Sequence, residues 1–553
     1  MKKWQILSHN IKHKTSNPNA IVNILLANRG LKTKKEIEEF LNPPNPSSLN
    51  TSRLGIKTEQ LGKAVKRIKK AIDTHESIIV YGDYDADGVC GTAILWEALH
   101  NLKANVMPYI PHRVDEGYGL SKKGIDAAKS QYQANLIITV DHGIGAIEQI
   151  DYAKKLGIDV IITDHHVTSK NVPNALATIH TINLCGAGVA WLLASALISK
   201  PSPPTPNLDL VAIATIADMV PLTGANRTLV KYGLEELNRT KRIGLKALIK
   251  EGCSRSGEIG VYDVSHILAP RLNAMGRLEH AMDSLRLLCT NDEKRAADLA
   301  QILNQTNRER QQLTEETLIH AKEMSNVKCQ MSKLIFISHE SYNQGIIGLV
   351  AGKLVEEFYR PAIVVSRGEQ FSKASARSIT GFNIIETIRK ASDLLVDAGG
   401  HPMAAGFTVE TKNLEILQQR LNEIAEKELD EEKLTRTLKI DCEVSLEDLS
   451  QKLYDALGRF KPYGLGNPEP VFASRGVMTK DVRKVGSDGK HLKLLITNSH
   501  IHYPISAVAF GLADLFPKLS PDKPVDIAFI LSVNEWKGQK KLELKIKDIK
   551  IDD

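Results

Sequence analysis

Three short apolar segments, each followed by polar residues, constrain the fold of this chain more than any other feature. They are Ser77–Tyr81, Leu136–Val140 and Val160–Thr163, and stretches of helical character separate them. Short, β-branched and continuously apolar segments are typical of the central strands of a parallel sheet, which is buried on both faces. Their alternation with helices predicts an α/β domain built on a doubly wound parallel sheet.

The rest of the chain is long enough for further domains. Its 553 residues exceed the roughly 250–300 residues that one hydrophobic core supports. Thr290 to Met324 contains no glycine or proline, which predicts a long charged spacer helix, whereas Pro201–Pro206 is expected to be a surface linker. We predict five parts: 1–75, an N-terminal helical segment; 76–285, the doubly wound domain; 286–330, the linker helix; 331–430, a second, smaller α/β domain; and 431–553, a small β-barrel.

Composition and the lack of long apolar segments indicate the cellular compartment more clearly than they indicate the function. A net charge of +7 and a pI of about 8.8 suit a polyanionic partner, but they equally suit an ordinary solvated surface. The six cysteines are far apart and show no zinc spacing, which argues against a disulfide scaffold. We find no apolar segment of a signal peptide behind the first residues, nor one of the ~18 residues that span a bilayer. We therefore expect a cytoplasmic protein.

Three alternating carboxylates follow the first predicted strand. Asp83, Asp85 and Asp87 lie between that strand and a predicted helix, at the sheet edge where open α/β folds bind their ligands. A single aspartate there is explained by capping of the helix. Three would repel one another strongly unless a cation held them. The pattern therefore favours a metal site.

Other predicted elements end in similar residues. Asp141 follows the second strand, Asp164-His165-His166 follows the third, and Asp218 ends the apolar segment Ala212–Ala217. Carboxylates with imidazole and without thiolates suit Mn²⁺ or Mg²⁺ better than zinc. Four or more carboxylates carry enough charge for two such ions.

These motifs resemble those of a known family. Asp83–Gly88, Thr139–Asp141, Asp164–His166 and Ala217-Asp218 are similar, in order, to the four motifs of the DHH phosphoesterase superfamily. Further segments resemble the branch of that superfamily that contains exonucleases specific for single-stranded DNA; they are Ala269–Arg277, Asn304–Arg310 and Gly345–Gly348. The resemblance extends from about Ser77 to Phe510.

The resemblance implies an activity and a set of site residues. It implies 5′→3′ hydrolysis of single-stranded DNA to 5′-mononucleotides with two ions of Mn²⁺ or Mg²⁺, in DNA repair and recombination. It also implies a monomer that meets the 5′ end of a strand, with a helicase or a single-strand-binding protein as a partner and no membrane. The implied catalytic residues are Asp85, Asp87, Asp141, His165, His166 and Asp218. The implied metal ligands are Asp83, Asp85, Asp87, Asp141, His165 and Asp218, with His166 as a further ligand or as a partner of one.

The second α/β domain carries candidate substrate contacts. Ser375–Ser378 and Gly399–Gly406 resemble the DHH-associated domain. The planar fork of Arg377 suits phosphate, whereas the paired glycines fit either a close ligand or a tight turn without one. Phe382 is either a base-stacking residue or part of the core. The implied nucleic-acid-binding residues are Arg113, Arg271, Asn273, Arg277, Ser375, Arg377, Gly400 and His401.

The β-rich remainder, with Pro462–Pro468, resembles an oligonucleotide-binding (OB) barrel. Basic and aromatic residues alternate in it, as in a single-strand groove, although about half of such aromatics point into the core of a barrel. These residues are Lys490, His491, Lys493, Tyr503 and Phe510.

Two other functions compete with this prediction. The first is a phosphodiesterase of the same superfamily that acts on short oligonucleotides or cyclic dinucleotides, which would not need the barrel. The second is a nucleic-acid-binding scaffold without catalysis, in which the acidic and histidine positions would be substituted. The sequence leaves the preference between DNA and RNA open.

Overall fold

The computed structural model describes residues 2–8, 18–168, 171–198, 207–253, 257–326, 332–521, 523–536 and 539–551. Three sheets organise these residues. The predicted linker Pro201–Pro206 and Cys329 lie outside the described residues. Within them, no helix is both long and apolar enough to cross a membrane.

The first 75 residues contain a strand as well as the predicted helices. Thr33 begins one helix with a capping box, in which its hydroxyl and the Glu36 carboxylate each accept a backbone N–H. The sequence analysis did not predict the strand, because its partner lies at the other end of the chain. The elements are β1 (Lys3–Ser8), α1 (Pro18–Asn28), α2 (Lys34–Leu41), α3 (Thr51–Leu54) and α4 (Thr58–Asp73).

The first α/β domain is a parallel sheet in the order β3-β2-β4-β5-β6. Its strands are β2 (Ile78–Gly82), β3 (Val106–Tyr109), β4 (Leu136–Val140), β5 (Asp159–Asp164) and β6 (Ala177–His180). Its helices begin with α5 (Ala86–Asn101), α6 (Lys122–Tyr132), α7 (Ile147–Lys155), α8 (Gly186–Leu197) and α9 (Leu208–Ala217). β2 and β4 are buried along their whole length, as expected for central strands. The predicted doubly wound fold is confirmed, and the direction of winding reverses between β2 and β4.

A helical layer completes this domain and leads into the next. It consists of α10 (Gly224–Leu237), α11 (Ile243–Gly252), α12 (Val261–Asp263), a π-helical turn (Val264–Leu268), α13 (Ala269–Leu278), α14 (Met282–Cys289) and α15 (Glu293–Asn326). We expected α15 to be a spacer, but its first half belongs to the domain core. Leu299 and Leu303, one turn apart, are buried there, while Leu318 joins the core of the second domain. The helix therefore packs into the cores of both domains and connects them.

The second α/β domain has a mixed sheet in the order β10-β11-β9-β8-β7. One face carries apolar side chains such as Ala376 and Phe407 into the core. Phe382 lies in this core as well, 4% exposed, so it does not stack on a base. The elements are β7 (Ile335–His339), α16 (Ile347–Phe358), β8 (Ala362–Ser366), β9 (Phe371–Arg377), α17 (Ile384–Arg389), β10 (Leu395–His401), β11 (Ala404–Glu410) and α18 (Leu414–Glu428).

The C-terminal module is a closed barrel, as predicted. Its elements are β12 (Thr437–Glu443), α19 (Gln451–Gly458), β13 (Phe472–Val485), β14 (His491–Thr497), β15 (Ile505–Ala509), β16 (Val525–Trp536) and β17 (Gln539–Ile551). Pairing runs β13-β14-β15-β17-β16 and returns from β16 to β13, which closes five strands as in an OB fold. β1 lies parallel to β12 outside this ring. Leu25 and Phe40 of the N-terminal helices share the core of the barrel, so the two ends of the chain form one structural unit.

Candidate metal centre and nucleic-acid cleft

The acidic and histidine residues meet where the winding of the first sheet reverses. Asp83 follows β2, Asp141 follows β4, His165 follows β5, and Asp218 caps the C-terminus of α9. The carboxyl ends of parallel strands share one edge of a sheet, which is where ligands bind in such folds. The structure therefore brings together side chains from four separate elements.

Two helix N-termini hold the first acidic loop. Asp85 is the N-cap of α5, and its Oδ1 accepts the N–H groups of Asp87 and Gly88 at 2.9 and 3.0 Å. Asp87 accepts the N–H groups of Gly186 and Ala187 at the start of α8, both at 2.7 Å. Backbone N–H groups at helix N-termini stabilise carboxylates. Helix N-termini therefore account for the placing of Asp85 and Asp87, but they leave the carboxylate of Asp83 unexplained.

The predicted ligands form three overlapping groups. The Nε2 atom of His165 lies 3.0 Å from Oδ1 of Asp141, 3.6 Å from Oδ2 of Asp218 and 3.7 Å from Oδ2 of Asp87. In each group, the candidate ligand atoms lie within 4.8 Å of one another. Asp141 and His165 each belong to two groups, so the groups are contiguous. They are Asp83–Asp85–Asp141, Asp87–His165–Asp218 and Asp141–His165–His166.

The electrostatics of these carboxylates fit a divalent cation. Burial and the neighbouring carboxylates raise the pKa of Asp83 and of Asp141 well above their usual range, and raise that of Asp218 to about 9. Oδ1 of Asp83 and Oδ1 of Asp141 are buried without a hydrogen bond from any described residue. Carboxylates held this close bind either protons or a cation, and oxygen with imidazole donors suits Mn²⁺ or Mg²⁺. The residues present therefore fit such an ion.

Asp164 positions the histidines, a role that the sequence analysis did not assign. Its Oδ1 accepts the N–H groups of His165 and His166 and also contacts Nδ1 of His166 at 2.8 Å. Burial alone would raise the pKa of Asp164, but these bonds outweigh it and hold that pKa below its usual range. The same contact outweighs the effect of burial on His166 and raises its pKa. The signal in the sequence was an aspartate at a strand end directly before two histidines.

The C-terminal module touches the segment that follows Asp218. The N–H group of Leu222 donates to the carbonyl of Leu465 at 2.7 Å. Gly464 and Gly466 pack so closely that an added Cβ would lie 2.6 Å from Leu222 Cδ1 and 2.9 Å from Pro221 Cβ, respectively. The barrel is thus in direct contact with the chain three residues beyond a candidate ligand.

A cluster of arginines faces the acidic centre. Arg277 of α13 donates to the carbonyl of Gly345 at 3.0 Å, and Arg377 of β9 donates to Ser375 Oγ at 3.1 Å. The guanidinium of Arg113 lies 5.0 Å from the centroid of the Tyr84 ring. Among the described residues, none of these three arginines forms an ion pair with a carboxylate. Burial, Arg113, Arg310 and Arg377 together lower the pKa of Arg277 to about 10. An unpaired cationic cluster is suited to bind phosphate.

Arg377 and Ser375 share one face of the second sheet with small residues. Across the sheet from Arg377 on β9, Ala404 follows on β11 and His401 on β10. Across from Ser375, Gly406 follows on β11 and Gly399 on β10. This face is open, because an added Cβ on Gly399 would meet nothing within 4 Å. An extended strand can therefore approach the backbone here.

Three of the predicted contact residues also have structural roles within the protein. Asn273 accepts the N–H group of Ala86 at 2.7 Å, so it holds the acidic loop. Arg271 donates to the Asn304 side chain and to the carbonyl of Ile267 between helices. Gly400 has a φ of +144° and its Cβ would lie 2.4 Å from the carbonyl oxygen of Ala404, so its own packing requires glycine.

The barrel exposes only some of its predicted contacts. Tyr503 and Phe510 are 85% and 60% exposed, and His491 packs edge-on against Phe510. Lys493 forms an ion pair with Glu543, so its charge is already compensated. Of the aromatic side chains predicted as contacts, Tyr503 and Phe510 are both exposed enough for bases to reach.

Comparison with known proteins places this architecture in a family. Models of the DHH family N-terminal domain, the DHHA1 domain and the RecJ OB domain match residues 77–215, 326–427 and 440–548. The single-stranded-DNA-specific exonuclease RecJ of Bacillus subtilis is 39% identical over 539 residues, which cover 96% of this chain and 67% of that protein. The Salmonella typhimurium enzyme of the same name is 32% identical, with 95% of both chains covered.

Solved structures agree with this placement. The structure of RecJ from Thermus thermophilus in complex with Mn²⁺ superposes with a TM-score of 0.82 at 31% identity, covering 100% of this chain and 80% of that one. The corresponding complex with Mg²⁺ gives a TM-score of 0.77 at 29% identity, covering 100% and 79%. The centre described above thus lies in a fold that holds these ions in its relatives, and the chain belongs to the RecJ family of DHH phosphoesterases.

Proposed function

We propose that this chain is a Mn²⁺- or Mg²⁺-dependent exonuclease that hydrolyses single-stranded DNA from its 5′ end to 5′-mononucleotides, in DNA repair and recombination. The observation that carries the proposal is a buried centre of carboxylates and imidazole that faces an unpaired arginine cluster. Membership of the RecJ family supports the choice of substrate.

The residues divide into ligands and supports. One ion would be held by Asp83, Asp85 and Asp141, and another by Asp87, His165 and Asp218. Bound divalent ions lower the pKa of water and compensate charge on a phosphodiester. Nδ1 of His166 is held by Asp164, and this contact raises the pKa of His166; in the protonated imidazole Nε2, 3.2 Å from the hydroxyl of Tyr118, can donate to a phosphate oxygen.

The 5′→3′ polarity is inferred from membership of the family, and the arginines are the proposed binding site for the strand end. Ser375, Arg377, Arg277 and Arg113 would bind the terminal 5′-phosphate, which places the first phosphodiester at the acidic centre. The strand would then cross the open face around Gly399 and stack its bases on the barrel.

The expectations on location and assembly belong to the same proposal. We infer a cytoplasmic monomer that takes its strand from a helicase or a single-strand-binding protein, since an exonuclease of this kind needs single strands exposed by another protein. Among the described residues, no cysteine forms a disulfide bond, which agrees with the proposed reducing compartment.

A strand-end assay tests the proposal. Strands labelled at the 5′ or the 3′ end are incubated with the protein after chelation and after Mn²⁺ is restored. We expect early release of the 5′ label as a mononucleotide, only with metal, and no release by Asp85→Asn. The control is Asp481→Asn, an exposed aspartate of the barrel. Early loss of the 3′ label would contradict the direction, and hydrolysis confined to dinucleotides would favour the short-substrate phosphodiesterase.

A further inference from the structure

We propose that Arg310, on the helix that joins the two domains, is an additional binding residue for a phosphate of the strand end. This inference rests on the proposed function and extends its substrate site. The resemblance to DHH phosphoesterases implied that Arg113, Arg277 and Arg377 bind nucleic acid, but it implied no role for Arg310.

Arg310 has no partner that would explain its burial. Its Nε is buried without a hydrogen bond, and its side chain forms no ion pair with any described residue. Arg310 as a whole is partly buried, and a partly buried charge without an ion-pair partner is less well compensated than a paired one. A bound anion is one explanation for such a group.

Arg227 and Arg242, two arginines among the described residues, differ from Arg310 in having many partners. Arg227 is 1% exposed and stacks on Phe40 at 4.0 Å. Arg242 forms a two-pronged pair with Glu97 at 2.6 and 2.7 Å. Arg67 also leaves one nitrogen, Nη1, buried without a hydrogen bond, but its charge is paired with Glu76 and Asp159, whereas the charge of Arg310 has no such partner among the described residues. The acceptors of Arg227 are the carbonyls of Phe40, Arg459, Phe460, Lys461 and Pro462.

The charges around Arg310 are of its own sign. Burial, then the neighbouring Arg271, lowers the pKa of Arg310, and Arg310 in turn contributes to the lowered pKa of Arg277. The cationic cluster thus extends from the cleft along the contact between α13 and α15. Its chemistry selects an anion, and phosphate is the anion of the proposed substrate.

The test compares two quantities, the unfolding temperature and the affinity for the strand. Substitution of a binding arginine should lower the affinity alone, whereas substitution of a structural arginine should lower the unfolding temperature. Arg310→Met removes an uncompensated charge, so thermal unfolding of the free protein should occur at an unchanged or higher temperature. Binding of a 5′-phosphorylated strand to chelated protein, followed by fluorescence anisotropy, should weaken about ten-fold, as for loss of one charged hydrogen-bond donor. The slope of log affinity against log salt should become shallower by about 0.7.

Two variants provide the controls. Arg295→Met removes the same charge from an exposed position of α15 and should leave binding within about two-fold of the wild type, since exposed charges are screened. Arg227→Met should lower the unfolding temperature, because it leaves buried carbonyls without donors. A lowered unfolding temperature of Arg310→Met with unchanged binding would overturn the proposal.

Inorganic phosphate separates the phosphate group from the rest of the strand. We expect it to compete with the strand on wild-type protein and to compete less well on Arg310→Met. Equal competition on both proteins would overturn the proposal. If the wild type itself fails to bind the strand, the proposed function fails instead, so the two failures are distinguishable.

Discussion

Replacing Gly466 with alanine tests whether the barrel holds Asp218 in place. Gly466 has a φ of +75°, and its added Cβ would lie 2.9 Å from Pro221 Cβ and 3.4 Å from Thr223 Cγ2. The left-handed conformation costs alanine about 1–2 kcal/mol, and overpacking adds about 1–3 kcal/mol. A shift of Pro221 would relieve the overpacking cost but not the conformational cost. Such a shift would also move the segment that carries Asp218.

A matched control isolates that second cost. Gly489 has a φ of +66°, but its Cβ would meet nothing within 4 Å, so Gly489→Ala pays only the conformational cost. Misplacement of a catalytic group by 1 Å can reduce a rate about 100-fold. For a shift of a few tenths of an ångström we expect Gly466→Ala to be about ten-fold slower, and Gly489→Ala to be near wild type.

The assay must separate chemistry from binding by the barrel. Initial rates are measured on tetranucleotides and on long strands, over a titration of Mn²⁺. We expect Gly466→Ala to lose rate on both substrates and to require more Mn²⁺ for half-maximal activity, because Asp218 is displaced. Loss on long strands alone, or equal behaviour of the two alanine variants, would refute the reasoning.

Three further predictions concern the centre and the cleft. Asp141→Asn, which removes a carboxylate shared by two candidate ligand groups, should lower the rate at least 100-fold with Mn²⁺ while circular dichroism stays native; near-normal turnover would disprove its role. Arg377→Ala should reduce the preference for 5′-phosphorylated over 5′-hydroxyl strands about ten-fold in competition assays, whereas an unchanged preference would remove it from the phosphate site. In chelated protein the pKa of Asp218 is about 9, above its unfolded value, so the folded state holds the proton more tightly. The unfolding temperature should therefore fall as the pH rises from about 4 to 9, and Asp218→Asn should flatten that fall, as calorimetry can show.

The acidic centre could be predicted because its signal is local. Asp83, Asp141 and His165 each follow a strand whose apolar pattern is evident, and the topology of a parallel sheet brings strand ends together. The apolar pattern of a strand does not indicate which hydrogen-bond partners a polar side chain will have. Asn273 matched a family motif, yet whether its side chain meets DNA or the N–H group of Ala86 depends on packing between α13 and α5.

Long-range pairings could not be predicted from the sequence for a related reason. Arg227 looks like a surface residue of an amphipathic helix until Phe40 and the carbonyls around Phe460 are brought against it. Deleting the chain from Glu431 onwards would remove those carbonyls, along with β12 and the barrel core that buries Phe40. Such a truncation perturbs the N-terminal segment too, so point substitutions separate binding from catalysis more cleanly.

Both β1 and α1 contact β12, which is synthesised much later, and this order has a consequence for synthesis on the ribosome. Asn28 and Asp441, which share a hydrogen bond, stand 413 positions apart, so roughly 20–80 s of translation separate their emergence. The domain of the metal centre is complete well before the barrel that covers Phe40 exists. During that interval β1 is an unpaired edge and the apolar sides of α1 and α2 have no partner, which makes the nascent chain prone to association. Chains released early should therefore aggregate through their N-terminal segment even though the residues of the metal centre have all been made.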